Sequence, residues 1–197
     1  MLKQKLTKNL DLILFLVFIG LVYVGGWQAD VFGFVQRGIL AIGLFDAEPG
    51  QDQPSESTNL DFQLQDVQGN PVNVAALRGK IVFVNIWASW CPPCVAEMPG
   101  IHDLYEELKE LKELNKKSEI VFLMISVDEE KEKAIKFMQR KEFQFPLYFP
   151  VNSFPPEFSY QSIPSTFVIS PEGKIVYKKE GMASYNSQEF KDYLLSL

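Results

Sequence analysis

The chain has 197 residues, of which 47% are apolar, and a formal net charge of −6 at pH 7. This length accommodates one domain of ordinary size together with an extension, and the apolar content is ample for a hydrophobic core. The negative charge argues against a nucleic acid as a partner.

The N-terminal segment has the pattern of a membrane anchor. Lys3, Lys5 and Lys8 precede an uncharged run at residues 12–29, which as one helix would be about 27 Å long, close to the roughly 30 Å of a bilayer core. Residues 1–30 are therefore predicted to form a single-pass transmembrane anchor that contacts the lipid bilayer through residues 12–29. A cleaved signal peptide is the alternative, but no small-residue cleavage site follows the run.

The positive charges also predict the orientation of this anchor. They favour a cytoplasmic N-terminus and an exported remainder, which indicates the cell inner membrane with the catalytic domain in the periplasm or another extracytoplasmic space. Residues 31–45 are apolar but too short and glycine-rich for a second span, so they either lie in the interface as an amphipathic segment or continue the anchor region. Residues 46–59 are polar and predict a flexible tether, so that residues 31–59 form a juxtamembrane segment and linker.

Residues 60–197 show the alternation of strands and helices expected of a mixed α/β domain. Alternating apolar residues at 60–74 surround a turn at 68–71 and predict a hairpin. An unbroken apolar run at 81–88 predicts a fully buried strand. The later elements are a helix with one apolar face behind Cys94, a second buried strand at 120–125, a helix at 129–142, a short strand at 145–149, a hairpin at 166–179 and a final helix capped by Ser187.

Cys91 and Cys94 are the only cysteines, and they stand where the buried strand ends and a helix begins. Free backbone N–H groups and the helix dipole favour a thiolate at that position. A structural zinc site needs four ligands, and His102 would supply only a third. A structural disulfide across two residues constrains the unfolded chain little. A redox-active dithiol is therefore favoured.

Three motifs in order carry a family resemblance: residues 83–94 around the cysteines, residues 97–99 (Glu-Met-Pro) and residues 163–167 (Ile-Pro-Ser-Thr-Phe). Together they resemble the thioredoxin superfamily, and more narrowly its TlpA/ResA-like membrane-anchored branch. The resemblance implies a thioredoxin fold, with a mixed β-sheet flanked by helices, and a thiol–disulfide oxidoreductase that needs neither a metal nor a cofactor.

The two cysteines have different predicted roles. Cys91 is expected to be the exposed nucleophile, and Cys94, one helical turn inward, resolves the mixed disulfide. Pro92 and Pro93 lack an N–H that could bond the Cys91 thiolate. A less stabilised thiolate disfavours the reduced form, so the couple is predicted to be a reductant.

Glu97 is the candidate acid–base group. A glutamate three residues past Cys94 is ordinarily a solvated helix residue, but in the ResA-like branch an acid at this position lies beneath the dithiol and handles its protons. Thioredoxin uses a buried aspartate on the central strand, where this chain has Asn85. Because Asn85 cannot titrate, the resemblance assigns this role to Glu97.

The resemblance also predicts the client-binding residues. It implies that the Ile163–Pro164 bond is cis, lies against the cysteines and presents backbone to a client chain; an ordinary trans proline at the start of an edge strand is the alternative. Trp90 is expected at the rim as an apolar platform and Trp87 in the core. His102 is interpreted as a solvated helix residue without a role.

These expectations describe an anchored enzyme that reduces specific extracytoplasmic protein disulfides, for example in cytochrome c maturation. Its partners would be disulfide-bearing client proteins and a membrane thiol-electron donor that keeps the dithiol reduced. The alternative is a dithiol copper-binding chaperone. Such proteins usually add histidine or methionine near the cysteines, and here Met98 is nearby while no motif places His102.

Overall fold

A seven-stranded mixed sheet forms the centre of the computed structural model, which describes residues 2–25, 28–40, 45–48, 58–115 and 120–197. The strand order is β2-β1-β5-β4-β3-β6-β7. Neighbours β3, β4 and β5 are parallel, whereas the remaining pairs are antiparallel. The strands are β1 (Gln63–Asp66), β2 (Pro71–Asn73), β3 (Ile81–Trp87), β4 (Ile120–Ser126), β5 (Leu147–Pro150), β6 (Ser165–Ile169) and β7 (Ile175–Glu180).

Helices precede, connect and follow the strands of this sheet. They are α1 (Leu2–Val24), α2 (Gln28–Leu40), α3 (Pro92–Asn115), α4 (Lys131–Lys141) and α5 (Gln188–Ser196). Short 3₁₀ turns at Val74–Leu77 and Pro156–Phe158 add to the predicted elements. The hairpins at both ends of the domain are confirmed, and the Ser187 hydroxyl caps α5 by accepting from the backbone N–H of Phe190, as predicted.

Strand β3 is the most enclosed element, because all seven of its residues are buried. Successive side chains in a strand point to opposite faces. One set, Val82, Val84 and Ile86, packs into the core that also holds Phe167. The other set includes Phe83 and Trp87 and packs into the core that contains α3. By the same alternation, Asn85 faces α3.

The predicted anchor is not one continuous helix. Helix α1 ends at Val24 and α2 begins at Gln28, with axes bent by 105°. Within the part of the chain that the structure describes, no single helix is long and apolar enough to cross a membrane; Leu10–Val24 and Gln28–Leu40 reach that length only as a bent pair. The expectation of one helix over residues 12–29 was therefore wrong. Gly25 follows the last residue of α1 and favours this end of the helix, because glycine is among the poorest helix formers.

The juxtamembrane segment contacts the domain at two places. Helix α2 packs on α3, and the boundary predicted between residues 30 and 31 falls inside α2. Asp46 and Ala47, predicted to begin the tether, instead lie against Ser184: the Ala47 backbone N–H donates to its carbonyl at 2.9 Å. The tether prediction for residues 49–57 lies outside the described residues.

Candidate active site

The two cysteines form a disulfide at the junction between β3 and α3, as the sequence predicted. The expectation of an exposed nucleophile was wrong for this oxidised form: Cys91 is only 3% exposed and Cys94 is fully buried. The Cys91 Sγ lies 3.7 Å from the carbonyl oxygen of Ile163, so the backbone before Pro164 covers this sulfur.

The first turn of α3 offers the attacking sulfur few hydrogen-bond donors. The Cys94 backbone N–H donates to the Cys91 Sγ at 3.3 Å. Pro92 and Pro93 lie between them and have no N–H. A thiolate on Cys91 would therefore receive less help from this turn than the start of a helix normally provides.

Glu97 lies inside the protein, which excludes the solvated alternative. The residue is 2% exposed. Its Oε1 accepts a hydrogen bond from Asn85 Nδ2 at 2.8 Å, and its Oε2 accepts one from the Ala183 backbone N–H at 3.1 Å. Burial raises the pKa of the Glu97 carboxyl from 4.5 to about 8, although both hydrogen bonds oppose this rise. The carboxyl is therefore mostly neutral at pH 7 and titrates near physiological pH, where a general acid–base group works best.

Asn85 positions this carboxyl. Its side-chain NH₂ group also donates to the Thr166 hydroxyl at 2.9 Å, on the neighbouring strand β6 where Thr166 is its register partner. The amide is thus held between β6 and Glu97. Buried Tyr185 lies close enough that the charge of Glu97 adds to burial in raising the tyrosine's pKa.

The loop before β6 completes the site. The Ile163–Pro164 bond is cis, as the resemblance implied. The Pro164 carbonyl accepts from the Gly181 backbone N–H at 2.8 Å, two residues before the Ala183 N–H that contacts Glu97. Trp90 is 61% exposed next to Cys91, as expected for a rim residue, and Trp87 is fully buried in the core.

Two residues of the site were missed by the sequence analysis. Ala183 contributes a backbone donor, and a backbone contact has no side-chain signature in the sequence. Asp128 is 7% exposed and accepts hydrogen bonds from the backbone N–H and hydroxyl of Ser89 and from the hydroxyl of Ser126. It therefore holds the loop before Cys91. An acid just beyond the second buried parallel strand was the available signal, because the carboxyl ends of parallel strands meet at one edge.

His102 is not the solvated residue that was expected, because its ring packs against those of Phe143 and Phe145. It does not join the cysteines in a ligand set. Across the described part of the chain, no group of three or more His, Cys, Asp or Glu side chains is arranged to hold a metal ion.

A Cys-x-x-Cys pair at a strand–helix junction, in a thioredoxin-like sheet, defines a thiol–disulfide oxidoreductase. The chain belongs to the Redoxin family, whose model matches residues 54–194. Its curated relatives include the thiol-disulfide oxidoreductase ResA of Geobacillus thermodenitrificans, which is 31% identical over 72% of this chain and 76% of that protein. ResA of Bacillus subtilis is 31% identical over 64% of this chain and 68% of that protein.

Solved structures show the same fold. A thioredoxin-family thiol:disulfide interchange protein from Chlorobium tepidum superimposes with a TM-score of 0.55 at 22% identity, covering 74% of this chain and 99% of that one. StoA from Bacillus subtilis superimposes with a TM-score of 0.53 at 18% identity, covering 67% and 94%.

Proposed function

We propose that this protein is a membrane-anchored, extracytoplasmic reductant of specific protein disulfides, with a role such as cytochrome c maturation. The observation that carries this proposal is the buried Glu97 carboxyl, held by Asn85 and Ala183 one helical turn beyond Cys94. The ResA relatives are thiol-disulfide oxidoreductases, which supports the reaction class. Clients are disulfide-bearing proteins, and a membrane thiol-electron donor restores the reduced form.

The reaction proceeds through two exchanges that conserve electrons. In the reduced enzyme, the Cys91 thiolate attacks a client disulfide, and the client's other sulfur leaves as a thiolate. Cys94 then loses its proton to the Glu97 carboxylate and attacks the Cys91 sulfur. This step releases the second client thiolate and leaves the Cys91–Cys94 disulfide, so two electrons have passed to the client. The raised pKa of Glu97 supports this role, because at neutral pH the carboxyl retains the transferred proton after the disulfide has formed.

Client recognition is assigned to the surface around Cys91. The Ile163 carbonyl lies next to the attacking sulfur, and the backbone there is in position to pair with a client strand around its cysteine. Trp90, which precedes Cys91 in the chain and is exposed, provides an apolar contact. Trp90, Ile163 and Pro164 are therefore the proposed client-binding residues.

A trapping experiment tests the proposal directly. In Cys94→Ala, Cys91 can still attack the client disulfide but no resolving cysteine remains, so we expect a stable mixed disulfide with the client. The full chain is expressed in its native host cells, and thiol exchange is stopped with acid. Non-reducing electrophoresis then measures the adduct. Cys91→Ala is the matched control and should trap nothing. Equal adducts from both variants would contradict the proposed roles.

The dithiol is expected to be reducing, with a potential below roughly −200 mV. The reason is the shortage of donors to the Cys91 thiolate at Pro92 and Pro93. Equilibration with glutathione buffers measures the potential. Pro93→Ala restores one N–H and should make the potential more oxidising. A value near −120 mV for the parent, that of a strong periplasmic oxidant, would contradict the assignment.

The anchor is assigned to the N-terminal segment. The support comes from the sequence, in which three lysines precede the uncharged run at residues 12–29, most of which lies in α1. By the positive-inside rule, the lysines favour a cytoplasmic N-terminus, with residues 60–197 outside the cytoplasm. This assignment predicts that the full chain floats with vesicles in a density gradient.

A further inference from the structure

The face of α2 that contacts the domain carries two small residues, Ala29 and Gly33, which are buried together with Leu40. A Cβ on Gly33 would lie 3.0 Å from the Val95 Cγ1 and 3.1 Å from the carbonyl oxygen of Pro92. Both distances are tighter than most Cβ contacts in proteins, so the absence of a side chain at Gly33 lets α2 approach the first turn of α3 closely. Helix α2 thus lies directly against the turn that carries the two cysteines.

The opposite face of α2 is large, apolar and exposed. At 100° per residue, positions 31, 32, 34, 35 and 39 fall on one side of the helix. Their side chains are 39–72% exposed; they are Val31, Phe32, Phe34, Val35 and Ile39. An ordinary surface helix has the reverse pattern, with its apolar side inward. A continuous apolar surface of this kind marks an interaction site.

The charged residues of α2 lie on the flank of the helix, away from this outer face. Asp30 forms ion pairs with Arg140 at 2.7 Å and with Lys141 at 2.8 Å, both at the end of α4. Arg37 lines a cavity between α2 and α3, together with Glu97 and Asp103. The two charges therefore leave the outer face free of charge, and the ion pairs help to fix the rotation of α2 on the domain.

We propose that α2 lies in the plane of the lipid bilayer, with its outer face in the interfacial region, and that it thereby holds the Cys91–Cys94 turn at the membrane surface. This inference rests on the anchoring proposed above. Lipid is the indicated occupant because the preceding helix α1, the proposed anchor, is also apolar and exposed from Leu12 to Ile19. If α1 follows the membrane normal, the bend of 105° leaves α2 only 15° (105 − 90) from the membrane plane.

The consequence concerns which molecules reach the dithiol. A helix is about 10 Å across, so the backbone of the Cys91–Cys94 turn would lie roughly one helix diameter from the lipid interface. A reductant embedded in the membrane and clients held near its surface would then be favoured over freely diffusing disulfides.

Spin labels on the full chain test this orientation. The background is Cys91→Ser with Cys94→Ser, reconstituted in phosphatidylcholine liposomes. A nitroxide is attached through Phe34→Cys on the outer face or, as the matched control, through Val67→Cys, a 43% exposed apolar residue in the turn between β1 and β2. Collision rates are measured with oxygen, which concentrates in lipid, and with a neutral nickel chelate, which stays in water. We expect the ratio of oxygen to nickel collisions to be several-fold higher at position 34 than at position 67.

The outcomes separate this inference from the anchor. If the chain floats with the liposomes but position 34 collides with nickel as often as position 67, the α2 orientation is overturned and the anchor stands. Low collision rates with both reagents at position 34 would indicate burial against protein, such as a second copy, and would also overturn it. A chain that does not float overturns both proposals. A second label through Val35→Cys on the same face should give the same ratio of collision rates. Near-ultraviolet circular dichroism of each variant checks that the labelled protein keeps its tertiary packing.

Discussion

Replacing Glu97 with glutamine should slow the resolution of the mixed disulfide by on the order of a hundredfold, the low end of general acid–base contributions. Glutamine keeps the size of the side chain but cannot accept the proton that Cys94 loses. The rate of the parent enzyme should rise with pH toward an inflection near the Glu97 pKa of about 8, because the carboxylate is the active form. The variant should lose that inflection.

Stopped-flow reaction of the reduced protein with an aromatic disulfide measures both steps. The first thiol released reports attack by Cys91, and the second reports resolution by Cys94. Only the second release should slow in Glu97→Gln. Glu110→Gln is the matched control, because Glu110 lies on the same helix but is exposed. Superimposable pH profiles for the parent and Glu97→Gln would show that Glu97 has no part in the proton transfer.

The same carboxyl should make the stability of the oxidised protein depend strongly on pH. Between pH 4.5 and about 8, Glu97 is neutral in the folded protein and ionised in the unfolded chain. Folding then takes up a proton, so the free energy of unfolding falls as pH rises across this window. At about 1.4 kcal/mol for each pKa unit, the whole change is about 5 kcal/mol.

Urea unfolding of the full chain in a mild detergent, repeated across this pH range, measures the change. All other titrating groups are common to the parent and to Glu97→Gln. The difference between the two proteins in free energy of unfolding therefore reports the titration of Glu97. We expect the stability of the parent relative to Glu97→Gln to fall by about 5 kcal/mol from pH 4.5 to above 8. The difference between the parent and Glu110→Gln should stay flat. A flat difference for Glu97→Gln as well would mean that the carboxyl ionises normally in the folded protein.

Short-range patterns in the sequence determined much of this molecule. An unbroken apolar run predicted the buried strand β3, and a change to helical spacing behind it predicted α3. The cysteines lie where the two patterns meet, and each pattern is local in the sequence. The Ser187 cap is equally local. Alternation along β3 also indicates which residues face α3, so that Asn85 could have been assigned to the side of the cysteines from its position alone.

Two features on either side of the catalytic helix depended on long-range packing. The sequence shows how long the uncharged run at residues 12–29 is, but its composition does not show the direction of a helix axis. That direction changes after Val24, where α1 ends. In α2, the inward position of Gly33 and the outward position of Phe34 became clear only once α3 was placed against the helix.

The chemistry of Glu97 shows the same division. Its position one turn beyond Cys94 could be read from the sequence, but its pKa could not. That pKa depends on burial and on donors that lie 12 and 86 positions away, at Asn85 and Ala183. Sequence spacing brings an acid to the correct turn of a helix; only tertiary packing removes water from around it, and the loss of water disfavours the charged form.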